Sequence, residues 1–228
     1  MVHYAATTEP ICFDNSVANI VDKFKDNTVD FHQTVADMAN ISRTQAKTIN
    51  LGLFYGMGKA KLQAELGLNT KAEAEELFNT YHTKVPFVRD LMNYTSKTAQ
   101  TSGSIGTLLG RRCRFNKWEP AQFGMHKPMD YEEADRTYGR GRIRRAFTYK
   151  ALNKLIQGSA ADMTKKAMVD LYKEGVVPHI QIHDELDISV ESDDAANKII
   201  DIMENAVSLE VPNKVDYESG KTWGDIYD

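Results

Sequence analysis

The chain has 228 residues, 42% of them apolar and 26% charged, with a formal net charge of −4, which excludes a uniformly basic nucleic-acid binder and leaves only local positive charge for such a role. Its length supports one sizeable core or two subdomains sharing a sheet. No apolar run approaches the roughly 20 residues of a membrane span, the N-terminus MVHYAATTEP lacks a secretion-signal pattern, and Cys12 and Cys113 are too few and too far apart for a disulfide framework or a zinc site, so the expectation is a cytoplasmic protein.

In chain order, Asn15 to Lys25 reads as a helix with Val17, Ile20, Val21 and Phe24 on its apolar face, and Thr28 to Ala39 repeats the pattern with Phe31, Val35 and Met38. The stretch Ser42 to Gly58, SRTQAKTINLGLFYGMG, says most about chemistry. At about 100° per residue, Arg43, Lys47, Leu51 and Tyr55 fall on one stripe with Asn50 beside them. Ala46, Ile49, Leu53 and Met57 form the opposite, apolar wall. Ser42 with Gln45 is a capping-box signature, and Gly56 and Gly58 are stop signals. Arg and Lys one turn apart, with an aromatic ring beyond them, suit a ligand carrying a polyphosphate at one end and a flat base at the other. An ordinary surface helix with two solvated cations has the same spacing.

Lys59 to Leu66 and Thr70 to Gln100 are rich in helix formers, with Leu77, Tyr81, Val85, Val88 and Met92 marking a buried side and Pro86 predicting a break. Glycines 103, 106 and 110 end the helical pattern, and Ser104 to Phe115 reads as a hairpin. Arg111, Arg112 and Arg114 form one basic knot, and Arg136, Arg140, Arg142, Arg144 and Arg145 another; each is either a nucleic-acid contact or a solvated face. Residues 116–141 read as an irregular excursion. The longest helical run is Arg144 to Tyr172, on which Asn153 and Gln157 lie one turn apart, read as buried amides bonded to a partner. Val177 to Val190 alternates as a strand pair around a turn at His183 and Asp184, whose Asp184 and Glu185 offer hard oxygen ligands to a divalent cation. A helix from Asp193 to Val207 and a last strand near Lys214 to Tyr217 complete the prediction.

Several of these stretches resemble family A DNA polymerases. The pattern R-x-x-x-K-x-x-x-L-x-x-x-Y-G resembles the fingers-helix motif of that family, NKLIQGSAAD (Asn153 to Asp162) its long palm helix, and HDE (His183, Asp184, Glu185) its palm carboxylate motif. TLLGRR (Thr107 to Arg112) resembles a family segment that lies against DNA, and ESGKTWGD the family's C-terminal end. The resemblance runs from about Val2 to the end. It implies an α+β fold in which a helical fingers subdomain is inserted in a partial palm with a small antiparallel sheet. The implied divisions are 1–27 for a palm-side segment, 28–100 for the fingers and 101–228 for the palm, with 116–141 departing from shorter bacterial versions.

The resemblance also implies a function, template-directed addition of dNTPs to a primer 3′-hydroxyl. Arg43 and Lys47 would hold and neutralise the triphosphate, Leu51 and Tyr55 would lie along the nucleotide, and Asn153, Gln157, His183 and Arg111 would touch DNA. Asp184, with Glu185 beside it, would hold Mg2+ in a two-metal site. Leu51 stands where the family usually has Phe or Tyr, which implies altered discrimination among nucleotide analogues. The D-Y-S-x-x-E stretch that carries another metal-binding Asp is absent from this sequence. The expectation is therefore the C-terminal piece of a phage-type split polymerase, working in the host cytoplasm, with the second carboxylate supplied by an N-terminal polypeptide. A non-catalytic DNA-binding remnant or accessory subunit, a fragment similar to single-subunit RNA polymerases, and an unrelated nucleotide-binding helical protein are the alternatives.

Overall fold

The computed structural model describes residues 1–26, 30, 32, 33, 36, 37, 41–54, 57–122, 124 and 126–226, without the side chains of 53, 54 and 226. The chain forms two compact units, Met1–Ile156 and Gln157–Asp228.

The first unit opens with α1 (Val2–Thr7) and α2 (Asn15–Lys25). The Asp14 carboxylate caps α2 by accepting from the Ser16 N–H at 2.8 Å, and the predicted face buries Val17 and Val21. Of the helix expected from Thr28 to Ala39, His32, Gln33, Ala36 and Asp37 are helical, whereas Phe31, Val35 and Met38 lie outside the described residues. The organising helix is α3 (Arg43–Phe54). Its capping box forms as read: the Ser42 N–H donates to Gln45 Oε1 at 3.0 Å and the Gln45 N–H to Ser42 Oγ at 3.2 Å.

Gly58 then serves as the N-cap of α4 (Lys59–Leu66). Helices α5 (Lys71–Lys84) and α6 (Pro86–Ser102) are separated at Val85, because Pro86 has no N–H to donate and keeps the preceding residue out of helical geometry. α6 buries Phe87, Val88, Leu91, Thr95 and Ala99, so its inner face runs through Leu91 and leaves Met92 half-buried. Gly103, at φ 75°, ends α6 in the left-handed region. The expected hairpin follows as β1 (Ser104–Gly106) and β2 (Arg112–Arg114), antiparallel with Ile105 opposite Cys113. Ile105 and Phe115 pack with Ala99, Ala151 and Leu155 into a small core, against which Tyr4 and Cys113 lie.

Residues 116–141 are more regular than their composition suggested. They contain β3 (Trp118–Pro120) and α7 (Tyr131–Tyr138), and β3 pairs antiparallel with β4 (Ile143–Arg145). That pairing corrects the start of the long helix. Arg144 and Arg145 are strand residues opposite Glu119 and Trp118, Phe147 adopts φ 63°, and α8 begins only at Ala151, running to Lys173 across both units.

The second unit continues with β5 (Ile180–Ile182), β6 (Glu185–Asp187) and α9 (Asp193–Asn205), whose Ser192 cap accepts from the Ala195 N–H at 3.2 Å. The strand expected near Lys214 to Tyr217 does not form. Its Val215 N–H is taken by the Glu204 side chain at 2.9 Å, and Asn213 donates to the Met203 carbonyl at 3.4 Å, so side chains and carbonyls of α9 replace a partner strand. Among the described residues the strands form three separate two-stranded antiparallel pairs, and no helix is long and apolar enough to cross a membrane.

Candidate functional site

On α3 the expected stripe is present. Arg43, Lys47 and Leu51 are exposed, whereas Ala46, Ile49 and Met57 are buried; Tyr55 and the Leu53 side chain lie outside the described residues. Leu51 leaves 43% of its surface in water, an apolar side chain at the end of a cationic stripe. Arg43 Nε is 2.7 Å from Asp30 Oδ2. The same carboxylate accepts from the N–H groups of His32 at 2.9 Å and Gln33 at 3.0 Å. The Gln33 amide first, and then Arg43, hold the Asp30 carboxyl below its ordinary range. Lys47 has no hydrogen bond or ion pair with the described residues, so its ammonium is available to a ligand.

Asn50 corrects the sequence reading. It was placed beside the polar stripe, but it is fully buried, with its Nδ2 3.0 Å from His32 Nδ1 and its Oδ1 without a partner among the described residues. Donation from that amide makes Nδ1 the acceptor and leaves the His32 proton on Nε2. Burial lowers the His32 pKa, Asp30 opposes the shift, and Arg43 and Lys47 add to it. His32 therefore belongs with the cations as a neutral donor. The sequence placed it in the helix expected from Thr28 to Ala39, and only its contacts with Asp30 and Asn50 bring it to this group.

The end of α3 depends on a close approach. The Met57 N–H donates to the Gly52 carbonyl at 2.8 Å, and a Cβ on Gly52 would lie 1.8 Å from Met57 Cε. A larger residue at 52 would require the end of the Met57 side chain to move.

The other predicted residues sit elsewhere. Arg111 is exposed in the β1–β2 turn, where its carbonyl accepts from the Thr107 N–H at 2.8 Å. Asn153 is half-buried and Gln157 exposed, so the expectation of a buried amide pair does not hold, although the two remain one turn apart on α8. Much of the second arginine knot is structural. Arg145 stacks 4.6 Å from the Trp118 ring and donates to the Phe115 carbonyl at 2.9 Å, Arg144 pairs with Glu119 at 3.0 Å, and Arg140 donates to the Tyr131 hydroxyl at 2.8 Å.

In the second unit, Ile182 pairs with Glu185 across a turn at His183 and Asp184. His183 takes φ 53° and its carbonyl accepts from the Gln181 side chain, which fixes the turn. Asp184 and Glu185 are exposed at the tip. Among the described residues no group of three or more His, Cys, Asp or Glu could hold a metal by itself. Two adjacent carboxylates still fit Mg2+, which takes one or two protein carboxylates and completes its shell with water and phosphate oxygens.

A basic stripe on a capped helix and an acidic hairpin tip thus occur in one chain, and residues 16–225 match the profile described as DNA polymerase family A. The chain belongs to DNA polymerase family A. A "DNA-directed DNA polymerase" of Pseudomonas phage M6 is 35% identical, covering 98% of this chain and 36% of its own length. "DNA polymerase I" of Geobacillus stearothermophilus is 33% identical over 86% of this chain and 21% of its own. This member of the family therefore spans about a third of the phage relative and a fifth of the bacterial one. The solved "POL domain of Pol1 from M. smegmatis complex with DNA primer-template and dNTP" is similar with a TM-score of 0.67 and 25% identity, over 92% of this chain and 36% of that one.

Proposed function

We propose that the chain forms the fingers (28–100) and part of the palm (1–27 and 101–228) of a template-directed DNA polymerase. The observation that carries this is the α3 stripe: Arg43 and Lys47 exposed over a buried wall, in a family A chain that also presents Asp184 and Glu185 at a hairpin tip. The reaction is an in-line displacement in which the primer 3′-oxygen attacks the α-phosphorus of a dNTP and pyrophosphate leaves. Arg43, oriented through Nε by Asp30, turns its terminal nitrogens to the outer phosphates. Lys47 places charge, or a proton, at the departing pyrophosphate, where charge develops in the transition state. His32 adds an Nε2–H donor held by Asn50. Leu51 and Tyr55 lie along the base and sugar, and Leu51 changes discrimination among nucleotide analogues.

Asp184, with Glu185, would hold Mg2+, which when bound stabilises charge on the reacting oxygens. His183, Arg111, Asn153 and Gln157 contact the primer and template. The second metal carboxylate and the remaining subdomains come from polypeptide outside these 228 residues, in this reading a separate N-terminal chain in the cytoplasm of a phage-infected host. The β5–β6 pair supports this, because Val177, Ile180 and Val190 around it are exposed, and an isolated two-stranded hairpin is marginal in water.

The test is primer extension with dNTPs and Mg2+ by the chain alone and with a polypeptide that carries D-Y-S-x-x-E. Extension by the mixture alone supports the proposal. Extension by the isolated chain contradicts the account of the metal site, preference for ribonucleotides points to an RNA polymerase, and Asp184→Ala without effect points to a non-catalytic remnant.

A further inference from the structure

The β3–β4 ribbon joins the 116–141 excursion to the start of α8, and none of the binding or metal residues proposed above lies on it. Strand alternation sends its two arginines to opposite faces. Arg144 is exposed and pairs with Glu119 at 3.0 Å. Arg145 is half-buried opposite Trp118, and its guanidinium meets three separate segments. It lies 4.6 Å from the Trp118 ring and donates through Nη1 to the Phe115 carbonyl at 2.9 Å. It also covers Gly103, the left-handed residue that ends α6, where a Cβ would stand 2.7 Å from Arg145 Cζ. Its Nε is buried without a partner among the described residues, so these contacts hold the group against a desolvation cost.

The backbone of Arg145 is held as firmly as its side chain. One amide serves both of its polar groups: Gln100, near the end of α6, accepts from the Arg145 N–H at 2.9 Å and donates to the Arg145 carbonyl at 3.2 Å. Trp118 is braced in turn by Tyr131 of α7, the two rings meeting edge-on at 5.0 Å. The next residue, Ala146, donates its N–H to the Lys117 carbonyl at 2.8 Å, and α8 begins shortly after, at Ala151. Ala151 and Leu155 of α8 pack with Phe115, the same residue whose carbonyl Arg145 holds, and with Ala99 of α6.

One side chain thus ties the end of α6, the chain after β2 and the inserted ribbon to a single point just before α8. A planar cation stacked on a ring and bonded to a carbonyl fixes direction as well as distance, which an apolar contact does not. We propose that Arg145 is a positioning residue: with Trp118 it sets where the first turn of α8 stands, and so where Asn153 and Gln157 present their amides. Arg145 itself touches no DNA. The proposal rests on the polymerase reading of α8 and gives the inserted ribbon its function, that of a splint for the primer-template amides.

The test is fluorescence anisotropy of a labelled primer-template hairpin titrated with the 228-residue chain. Arg145→Met, which keeps the length and removes the donor, should weaken binding about tenfold, the loss of one hydrogen bond from a charged group. Arg145→Lys, which keeps a cation beside the ring, should stay within about threefold, and the neighbouring Arg144→Met within about twofold. Binding of dNTP, followed by calorimetry, should stay within about twofold across the Arg145 series. The decisive comparison uses a chain that already carries Asn153→Ala and Gln157→Ala. There Arg145→Met should cost less than about twofold more, because its effect runs through those amides. Trp118→Leu, which removes the ring and leaves the hydrogen bond, should weaken binding about threefold and decides the matter where Arg145→Met does not fold. Undiminished affinity in these variants, a full loss repeated in the Asn153 and Gln157 background, an equal loss in Arg144→Met, or no binding by the parent would overturn the proposal. The expected pattern without primer extension by the mixed polypeptides would defeat the polymerase reading and leave the role of Arg145 in DNA binding standing; extension indifferent to Arg145→Met and Trp118→Leu would do the reverse.

Discussion

The α3 stripe and the β5–β6 tip are both charged, exposed and joined to the same proposed chemistry, yet they are held in opposite ways. Arg43 is oriented by Asp30, His32 is fixed by buried Asn50, and the helix is closed by a capping box at one end and by Met57 on Gly52 at the other. The tip rests on a two-residue turn whose His183 carbonyl accepts from the Gln181 side chain, and Asp184 has no hydrogen-bond partner among the described residues. A cationic wall held by its own side-chain contacts is arranged without a ligand, whereas a metal site with one or two carboxylates needs further oxygen ligands from elsewhere. Nucleotide binding should therefore survive in the isolated chain, and catalysis should not.

The strongest way to break that comparison is at the tip. In the assembly proposed above, with a polypeptide that carries D-Y-S-x-x-E, Asp184→Asn should slow single-turnover nucleotide addition on the order of 10³-fold, while dNTP binding by the isolated chain, followed by calorimetry, stays within about twofold. Parallel losses in both would show that the tip also shapes the nucleotide site. At the stripe the order reverses. Arg43→Ala or Lys47→Ala should weaken dNTP binding by the isolated chain about 10- to 100-fold, the range for a lost hydrogen bond to a charged group, and unchanged binding would remove α3 from the site.

Asn50→Ala separates anchoring from charge. It should cost about 1–2 kcal/mol of stability, read by denaturant unfolding, and weaken dNTP binding only about threefold, because both cations remain; retention of the parent's affinity and stability would deny the Asn50–His32 bond any role. The smallest effect is in acid. His82 is buried on α5 against the Phe78 and Tyr81 rings, and burial first, then Arg89, lowers its pKa against Asp90. Its folded pKa lies below the unfolded one, so the stability from burying it neutral is complete above about pH 6.5. That contribution is lost as pH falls through the depressed folded value. Thermal unfolding at pH 7.5 and 5.0 should show a smaller drop in Tm for His82→Gln than for the parent; equal drops would move the acid sensitivity elsewhere.

What could be read from the sequence was mostly local. The Ser42–Gln45 capping box, the break at Pro86, the β1–β2 hairpin and the turn at His183 and Asp184 are set by residues within a few positions of one another, and they form as read. Distant pairing decided the rest. Asn50 borders both walls of α3, and its contact with His32, 18 residues away, sets which one it joins. The arginines at 144 and 145 have good helix propensity but lie opposite Glu119 and Trp118 in a strand pair. Residues 214–217 have a strand-like pattern but no strand to pair with, and α9 takes their polar groups. The shape of the stripe was legible, but the Asp30 and His32 contacts that orient it were not.

The central claim is that stripe and tip act on one nucleotide. It is tested most directly by electron-spin distance measurement between nitroxides at Thr48→Cys and Glu191→Cys, in a chain carrying Cys12→Ser and Cys113→Ser and mixed with the polypeptide proposed to carry D-Y-S-x-x-E. With primer-template, Mg2+ and the next dNTP, the account predicts one narrow peak at a separation a nucleoside triphosphate and the label arms can bridge. A distribution that stays long, or that does not respond to the correct dNTP, would contradict it.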